Sequence, residues 1–273
     1  MLTARTLLRR DGLEIADVAC RHGRGRGLPG EQADRHVIVF VRRGCFVRSA
    51  NGVESVLDPT VAYCTKPHDE QRYDHPHEHG DDCTSLFIEA DLLASLRGGD
   101  PLLPSSPLPT SPRLDVEHRL LLGACRRGAD ADEIFERALA LAAQALERHD
   151  APRVESGRPA TERSRRALAD GARELMAANP ERSLPELARA LGVSPHHLSR
   201  LFRSATGHTI ARHRMRLRAR GALERLSGGE EDLARLAADL GFADQSHLSR
   251  VVRRETGHTP SALRRDLAAH GSV

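Results

Sequence analysis

The 273-residue sequence has no tryptophan, two tyrosines and six phenylalanines, so aromatic residues make up 3% of it. A protein that holds single-stranded nucleic acid by stacking on its bases wants more rings than that. No apolar run approaches the roughly 18 to 20 residues of a membrane-spanning helix. The stretch from Met1 to Arg5 holds no apolar core of signal-peptide length, so a cytoplasmic protein with no membrane partner is expected. Five cysteines (Cys20, Cys45, Cys64, Cys83 and Cys125) are odd in number, scattered, and without a Cys-x-x-Cys pair. That disfavours a disulfide framework and a zinc finger. Lysine is nearly absent: Lys66 is the only one among 41 basic residues. The positive charge is therefore carried by arginine, which suits bidentate contacts to phosphate and guanine.

What is present is unevenly spread. The formal net charge is only +3, but residues 161–273 hold 20 arginines against 13 carboxylates, a net of +7, and leave −4 for the rest. A basic segment attracts polyanions, although the same balance also fits an ordinary soluble surface. Texture changes at the same place. Before about Leu92 there are short β-rich runs: His36 to Val41, Cys45 to Val47, Val53 to Leu57, Val61 to Thr65 and Thr84 to Ile88. Asn51-Gly52 between two of them signals a hairpin, because both central residues of a type I′ turn need positive φ. Several short strands close together point to a small barrel or sandwich. After a Pro/Ser-rich stretch from Pro101 to Pro112, two helical patterns follow, Leu114 to Arg127 and Asp130 to Arg148. His149 to Pro159, with two prolines and a glycine, reads as a linker.

Beyond the linker the pattern is helical and nearly repeats itself. One copy runs from Leu184 through Gly192 and His197-Leu-Ser-Arg200 to Thr206-Gly-His-Thr209. The other runs from Leu233 through Gly241 and His247-Leu-Ser-Arg250 to Thr256-Gly-His-Thr259, with one extra residue after its glycine. Leu184, Leu187, Ala188 and Leu191 make an apolar stripe, Gly192 suits a left-handed helix end, and Ser194-Pro195 an N-cap with proline at the first helical position. The second copy repeats the stripe with Leu233, Leu236, Ala237 and Leu240, the glycine with Gly241, and the cap with Asp244. A short helix, a glycine turn and a polar-faced second helix is helix-turn-helix grammar. A plain helical hairpin is the competing reading for one copy; two matched copies argue against it.

These motifs resemble the AraC/XylS family of bacterial transcription regulators over about Ser164 to Asp266. The resemblance implies an α+β protein: an N-terminal cupin-like β-barrel with trailing helices, and a C-terminal all-α domain of two helix-turn-helix subdomains joined by a long helix, here about Ile210 to Leu226. The divisions expected are 1–149 for an effector and dimerisation domain, 150–163 for the linker, and 164–268 for the DNA-binding domain. It also implies that the second helix of each unit enters the major groove of double-stranded DNA. The base-contact candidates are then His196, Ser199 and Arg200 in the first unit and Gln245, Ser246, Ser249 and Arg250 in the second. Arginine pairs with guanine, glutamine with adenine and serine with either. For Arg200 and Arg250 a phosphate contact or a solvated helix face is the alternative. Arg203, Arg253 and Arg254, a turn further on, are phosphate candidates, as are Thr209 and Thr259 at helix starts. RNA polymerase, a small-molecule effector and a second copy of the chain are the further partners implied, with activation the commonest mode.

The stretch from His68 to Cys83 carries His75, His77 and His79 as well. Such a cluster suits zinc, nickel or iron in principle. Pro76 and Gly80 interrupt any regular strand there, and Cys83 and Thr84 stand where a metal-binding cupin would want a glutamate. It is read as a polar turn between barrel strands, and neither a metal nor another cofactor is assigned. The two trailing helices are expected to form a dimer face, with packing against the barrel as the alternative. No catalytic constellation is visible in the C-terminal half. The rival functions are a metal-dependent cupin enzyme fused to a DNA-binding module and a helical interaction protein without a DNA role.

Overall fold

The computed structural model describes residues 2–21, 25, 30–76, 80–150 and 159–268. Among these residues ten strands and ten helices follow one another. They are β1 (Leu2–Arg10), β2 (Leu13–Cys20), β3 (Glu31–Gln32), β4 (His36–Arg43), β5 (Phe46–Ala50), β6 (Val53–Leu57), β7 (Val61–Thr65), β8 (Glu70–Asp74), β9 (Asp81–Ile88), α1 (Ala90–Leu96) and β10 (Leu108–Pro109). Helices α2 (Pro112–Arg126), α3 (Ala131–Asp150), α4 (Pro159–Ala178), α5 (Leu184–Ala190), α6 (Pro195–Thr206), α7 (Ile210–Ser227), α8 (Leu233–Asp239), α9 (Gln245–Thr256) and α10 (Pro260–Ala268) complete the chain. Of the expected linker, residues 151–158 lie outside the described residues.

The strands form two sheets, ordered β1-β2-β9-β4-β7-β10 and β3-β8-β5-β6, each with two open edges. The closed barrel expected from the sequence is thus a double sheet, the other way in which cupin-like all-β domains bury their strands. Asn51 and Gly52 have φ of 49° and 78° and join β5 to β6 as the type I′ signal demands. The same device sits at Asp11-Gly12, φ 46° and 79°, between β1 and β2, two strands outside the β-rich runs picked out above. β1 carries exposed and polar positions along most of its length, so it shows no alternation to read.

β4, buried at six of its eight positions, shows why two layers form on one sheet. Its odd-numbered side chains, Val37, Val39 and Val41, meet Phe46, Leu57, Tyr63 and Cys83 in the space between the sheets. Its even-numbered ones, Ile38 and Phe40, meet Ile15, Leu86, Leu93, Leu121 and Leu141 under helices α1, α2 and α3. Period two along one strand thus serves two cores. The inter-sheet space is occupied by Phe46, Tyr63, Tyr73 and His75, with neighbouring ring centroids 6.0–6.4 Å apart.

The helix α2 is buried on both faces. Leu114, Leu121 and Ala124 face the sheet, whereas Val116 and Leu120 join a core built by α7, α8, α9 and α10. The dimer face expected of α2 is therefore covered by the chain's own C-terminal helices. Around this apolar contact lie buried charges. Asp58, in the turn between β6 and β7, accepts from Arg173 Nε of α4 at 2.8 Å and lies 3.4 Å from His213 Nε2 of α7. Arg220 of α7 lies 2.6 Å from Asp115 of α2 and donates to the Thr110 hydroxyl at 2.9 Å, while Arg216 donates to the Thr110 carbonyl at 2.7 Å. Glu224 of α7 pairs with Arg119 at 3.0 Å and Arg42 at 3.6 Å. Burial would raise Asp58, but Arg173 and His213 hold it well below the usual carboxylate range. At Asp115 burial outweighs the nearby Arg220 and Arg119, and its carboxyl is raised.

Two histidines at this junction make stability fall in mild acid. Burial, with Arg119 and Arg42 adding repulsion, pushes His118 well below the usual imidazole range, and its Nε2 has no hydrogen-bond partner. Burial also lowers His213, and the Asp58 contact only partly offsets it. Both resist protonation in the fold and take up protons more readily when unfolded. Their contribution is complete above about pH 6.5 and is lost as pH falls below it, by at most about 1.4 kcal/mol per pH unit for each group. Urea unfolding between pH 7.5 and 5 is expected to show that decline. Replacing His118 by phenylalanine, beside the Phe40 ring 4.9 Å away, should make it shallower, and an unchanged slope would refute the assignment.

Candidate nucleic-acid interface

Each helix-turn-helix unit is assembled by local chemistry that its sequence states openly. α5 starts in a capping box: the Ser183 hydroxyl accepts from Glu186 N–H, and the Glu186 carboxylate takes the Ser183 N–H at 2.7 Å. After α5, Gly192 adopts φ 66°, and the Val193 N–H closes back onto the Ala188 carbonyl at 3.0 Å. Ser194 then caps α6 by accepting from His197 N–H at 3.2 Å, with Pro195 at the first helical position. In the second unit Asp232 caps α8, Gly241 turns with φ 70°, and Asp244 caps α9 by accepting from His247 N–H at 2.6 Å.

The extra residue of the second copy falls in this turn. Phe242 is buried there and packs edge-on to the His247 ring at 5.5 Å, while His247 Nδ1 accepts from Ala243 N–H at 3.3 Å. α6 and α9 nevertheless have the same length of 12 residues, and Gly207 and Gly257 end them with φ of 75° and 81°. Thr209 and Thr259 accept from Arg212 N–H and Ala262 N–H and so cap α7 and α10.

Apolar faces fix which side of α6 and α9 is left free. Leu198, Leu201 and Phe202 pack with Leu187 and Ala188 of α5 and with Ala169, Ala172 and Met176 of α4. Leu248, Val251 and Val252 pack with Leu236 and Ala237 of α8 and with Ala222, Leu223 and Leu226 of α7. The remaining faces point outward. His196, Arg200, Gln245, Ser246 and Arg250 are exposed, and Ser199 and Ser249 are half-exposed. Arg203, Arg253, Arg254, Thr209 and Thr259 are exposed as well. The fold thus leaves every base and phosphate candidate accessible on α6, α9 or a helix cap beside them.

Their electrostatic state is unlike that of the other arginines nearby. Arg173, Arg212, Arg218, Arg220 and Arg225 are held by Asp58, Glu255, Glu181, Asp115 and the Glu230–Asp239 pair. Arg200, Arg203, Arg250 and Arg253 make no ion pair among the described residues. Arg254 differs from these four, since its Nε lies 3.3 Å from Glu255 Oε1. Glu255 itself is buried at the end of α9 and also reaches Arg212, so it ties that helix to the start of α7. Nothing in the spacing of the sequence pointed to this tie.

The His75 region departs from the polar turn expected of it. His75 is 5% exposed, bridges Gly25 through its backbone, and its Nε2 lies 2.8 Å from Asp81 Oδ1. His77 and His79 lie outside the described residues. Among the described residues no helix is long and apolar enough to cross a membrane.

Comparison with known proteins agrees with the C-terminal geometry. A helix-turn-helix domain family matches residues 187–266. No curated protein sequence matches the chain. Among solved structures, apo ToxT from Vibrio cholerae overlaps 94% of this chain and 98% of its own at 11% identity and a TM-score of 0.38. A transcriptional regulator from Chromobacterium violaceum, described as an AraC-type DNA-binding domain-containing protein, overlaps 39% of this chain and 96% of its own at 26% identity and a TM-score of 0.37. A cupin domain from Schizosaccharomyces pombe overlaps 36% of this chain and 72% of its own at 10% identity and a TM-score of 0.30.

Proposed function

We propose that the chain is a DNA-binding transcription regulator in which α6 and α9 read two successive major-groove segments of one duplex, a reading supported by the helix-turn-helix match over residues 187–266. The observation that carries this reading is the matched pair of exposed helices with Arg200 and Arg250 at equivalent positions, neither in an ion pair among the described residues. In the proposal, Arg200 and Arg250, with His196, Ser199, Gln245, Ser246 and Ser249, face base edges. Arg203 and Arg253 hold phosphates and set register, helped by Arg254 and by the helix starts at Thr209 and Thr259. The spacing of the half-sites is then about one helical turn.

The front domain, in this reading, carries effector binding and self-association, and the regulator works in the cytoplasm without catalysing a reaction. Activation through contact with RNA polymerase belongs to the same proposal. What favours a sensing role is the extent of the buried junction, where Asp58, Thr110, Asp115, Arg42 and Arg119 of the front half all engage α4 or α7. A front domain so engaged can favour one arrangement of the DNA-binding helices over another, which is what regulation requires.

Binding of a fluorescent duplex, chosen by selection from random sequences, tests the reading across a salt series. With four to six phosphate contacts the logarithm of affinity should fall against the logarithm of salt with a slope of roughly −3 to −6. A flat dependence, or no duplex recovered by selection, would sink it.

A further inference from the structure

We propose that Cys20, His75 and Asp81 form a binding site for a divalent transition-metal ion of the zinc class. The three residues come from separate parts of the front domain. Cys20 ends β2 and is the cross-strand partner of Asp81, which begins β9, so their side chains share one face. His75 follows β8 in the other sheet and is set in place by its two backbone hydrogen bonds with Gly25. One donor atom from each, a sulfur, a ring nitrogen and a carboxylate oxygen, lie within 4.8 Å of one another, and all three residues are buried.

The geometry is close to what such an ion needs. Bonds of about 2.3 Å to sulfur and about 2.0–2.1 Å to nitrogen and oxygen place tetrahedral donors roughly 3.4–3.6 Å apart. His75 and Asp81 are nearer than that, at 2.8 Å, so an ion between them would replace their hydrogen bond and part them by less than about 1 Å. Gly80, with φ 58°, makes the convergence possible. A Cβ there would stand 2.1 Å from the Cys20 carbonyl oxygen, so only glycine lets the start of β9 lie against the end of β2. The Asp81 carboxylate is also oriented from behind, because its other oxygen accepts from Cys83 Sγ at 3.5 Å.

Charge selects the class of ion. A dication with one thiolate, one carboxylate and one neutral imidazole sums to zero, which suits a buried place where a net charge would be costly. Binding sends the Cys20 thiol proton to solvent. One sulfur, one nitrogen and one oxygen donor suit zinc, cobalt or nickel and are too few oxygens for calcium or magnesium. Among the described residues the protein supplies three donors, which leaves a fourth position for a further ligand. Nearby, Arg42 donates to the Cys83 carbonyl at 3.4 Å and lies 3.6 Å from Glu224 of α7, so the site adjoins the junction between the two halves of the chain. None of this depends on the DNA-binding reading, and the test uses no DNA.

The full-length chain, reduced and stripped with chelator, is titrated with Co²⁺. The expected result is one ion per chain, with tetrahedral visible bands and a thiolate-to-cobalt charge-transfer band that Zn²⁺ abolishes. Cys20→Ser should remove the charge-transfer band, and His75→Gln and Asp81→Asn should each weaken binding ~10-fold or more. No bound cobalt, or a spectrum unchanged in Cys20→Ser, would overturn the proposal. If Cys20→Ser does not fold, the thermal midpoint decides: Zn²⁺ should raise that of the wild type more than that of Asp81→Asn at the same concentration. An equal rise in both would refute the site.

Discussion

Replacing Arg200 and Arg250 together by alanine is expected to lower affinity for the selected duplex by roughly 30-fold to twenty-thousand-fold. Each bidentate arginine–guanine pair discriminates by ~1–3 kcal/mol, and the two helices pack in separate cores, so their losses should add. Both side chains are exposed and make no ion pair among the described residues, so the thermal midpoint should hardly move; exposed substitutions of this kind stay within about 0.5 kcal/mol. The double variant Arg203→Ala, Arg253→Ala supplies the contrast. It should weaken all duplexes alike and reduce the salt slope by about 2. Equal losses on selected and random duplexes for the Arg200 and Arg250 pair would reassign them to phosphate. No loss on either duplex would remove both residues from the interface.

Asp58→Ala is expected to be the most destabilising single change at the junction, costing about 3–5 kcal/mol, because it leaves the buried Arg173 guanidinium without its main counter-charge. Asp58 does more than pair. Its other carboxylate oxygen accepts from the Thr60 N–H at 2.8 Å and hydroxyl at 2.6 Å, which shapes the turn between β6 and β7. For a chain of this size the thermal midpoint should drop by roughly 6–20 °C. Asp58→Asn retains a side-chain acceptor for Thr60 and should lose less. Asp34→Ala, at a carboxylate that is 89% exposed, should lose almost nothing, as an exposed pair does. A loss under about 1 kcal/mol for Asp58→Ala would show that water or another group satisfies Arg173, and that the junction does not rest on this carboxylate.

The two helix-turn-helix units were legible because their instructions are short-range. Gly192 and Gly241 turn where glycine is cheap, Ser194 and Asp244 cap three residues ahead, and the leucine stripes recur at three and four. All of this falls within a single turn or a single helix. The front domain was legible only where its signals were equally local. Asn51-Gly52 announced its hairpin; Asp11-Gly12 carries the same signal, but β1 beside it is polar and exposed, and β2 takes its other partner, β9, from 61 to 75 residues away. Whether the sheets close into a barrel depends on edges that meet or fail to meet, which no run of ten residues records.

The arginines draw the line most clearly. From the sequence alone, a basic half, a nearly lysine-free composition and two matched helices determined that the C-terminal domain presents arginine from a helix-turn-helix scaffold. Only the tertiary structure decided which arginines are presented. Arg173, Arg216 and Arg220 belong to the same basic segment, yet they turn inward to Asp58, Thr110 and Asp115, while Arg200, Arg203, Arg250 and Arg253 stay outside. The physical reason is the reach of the forces involved. Capping and helical periodicity act within a few residues, whereas a buried arginine needs a counter-charge or acceptor brought from the other half of the chain. That partner exists only once both halves have folded against each other.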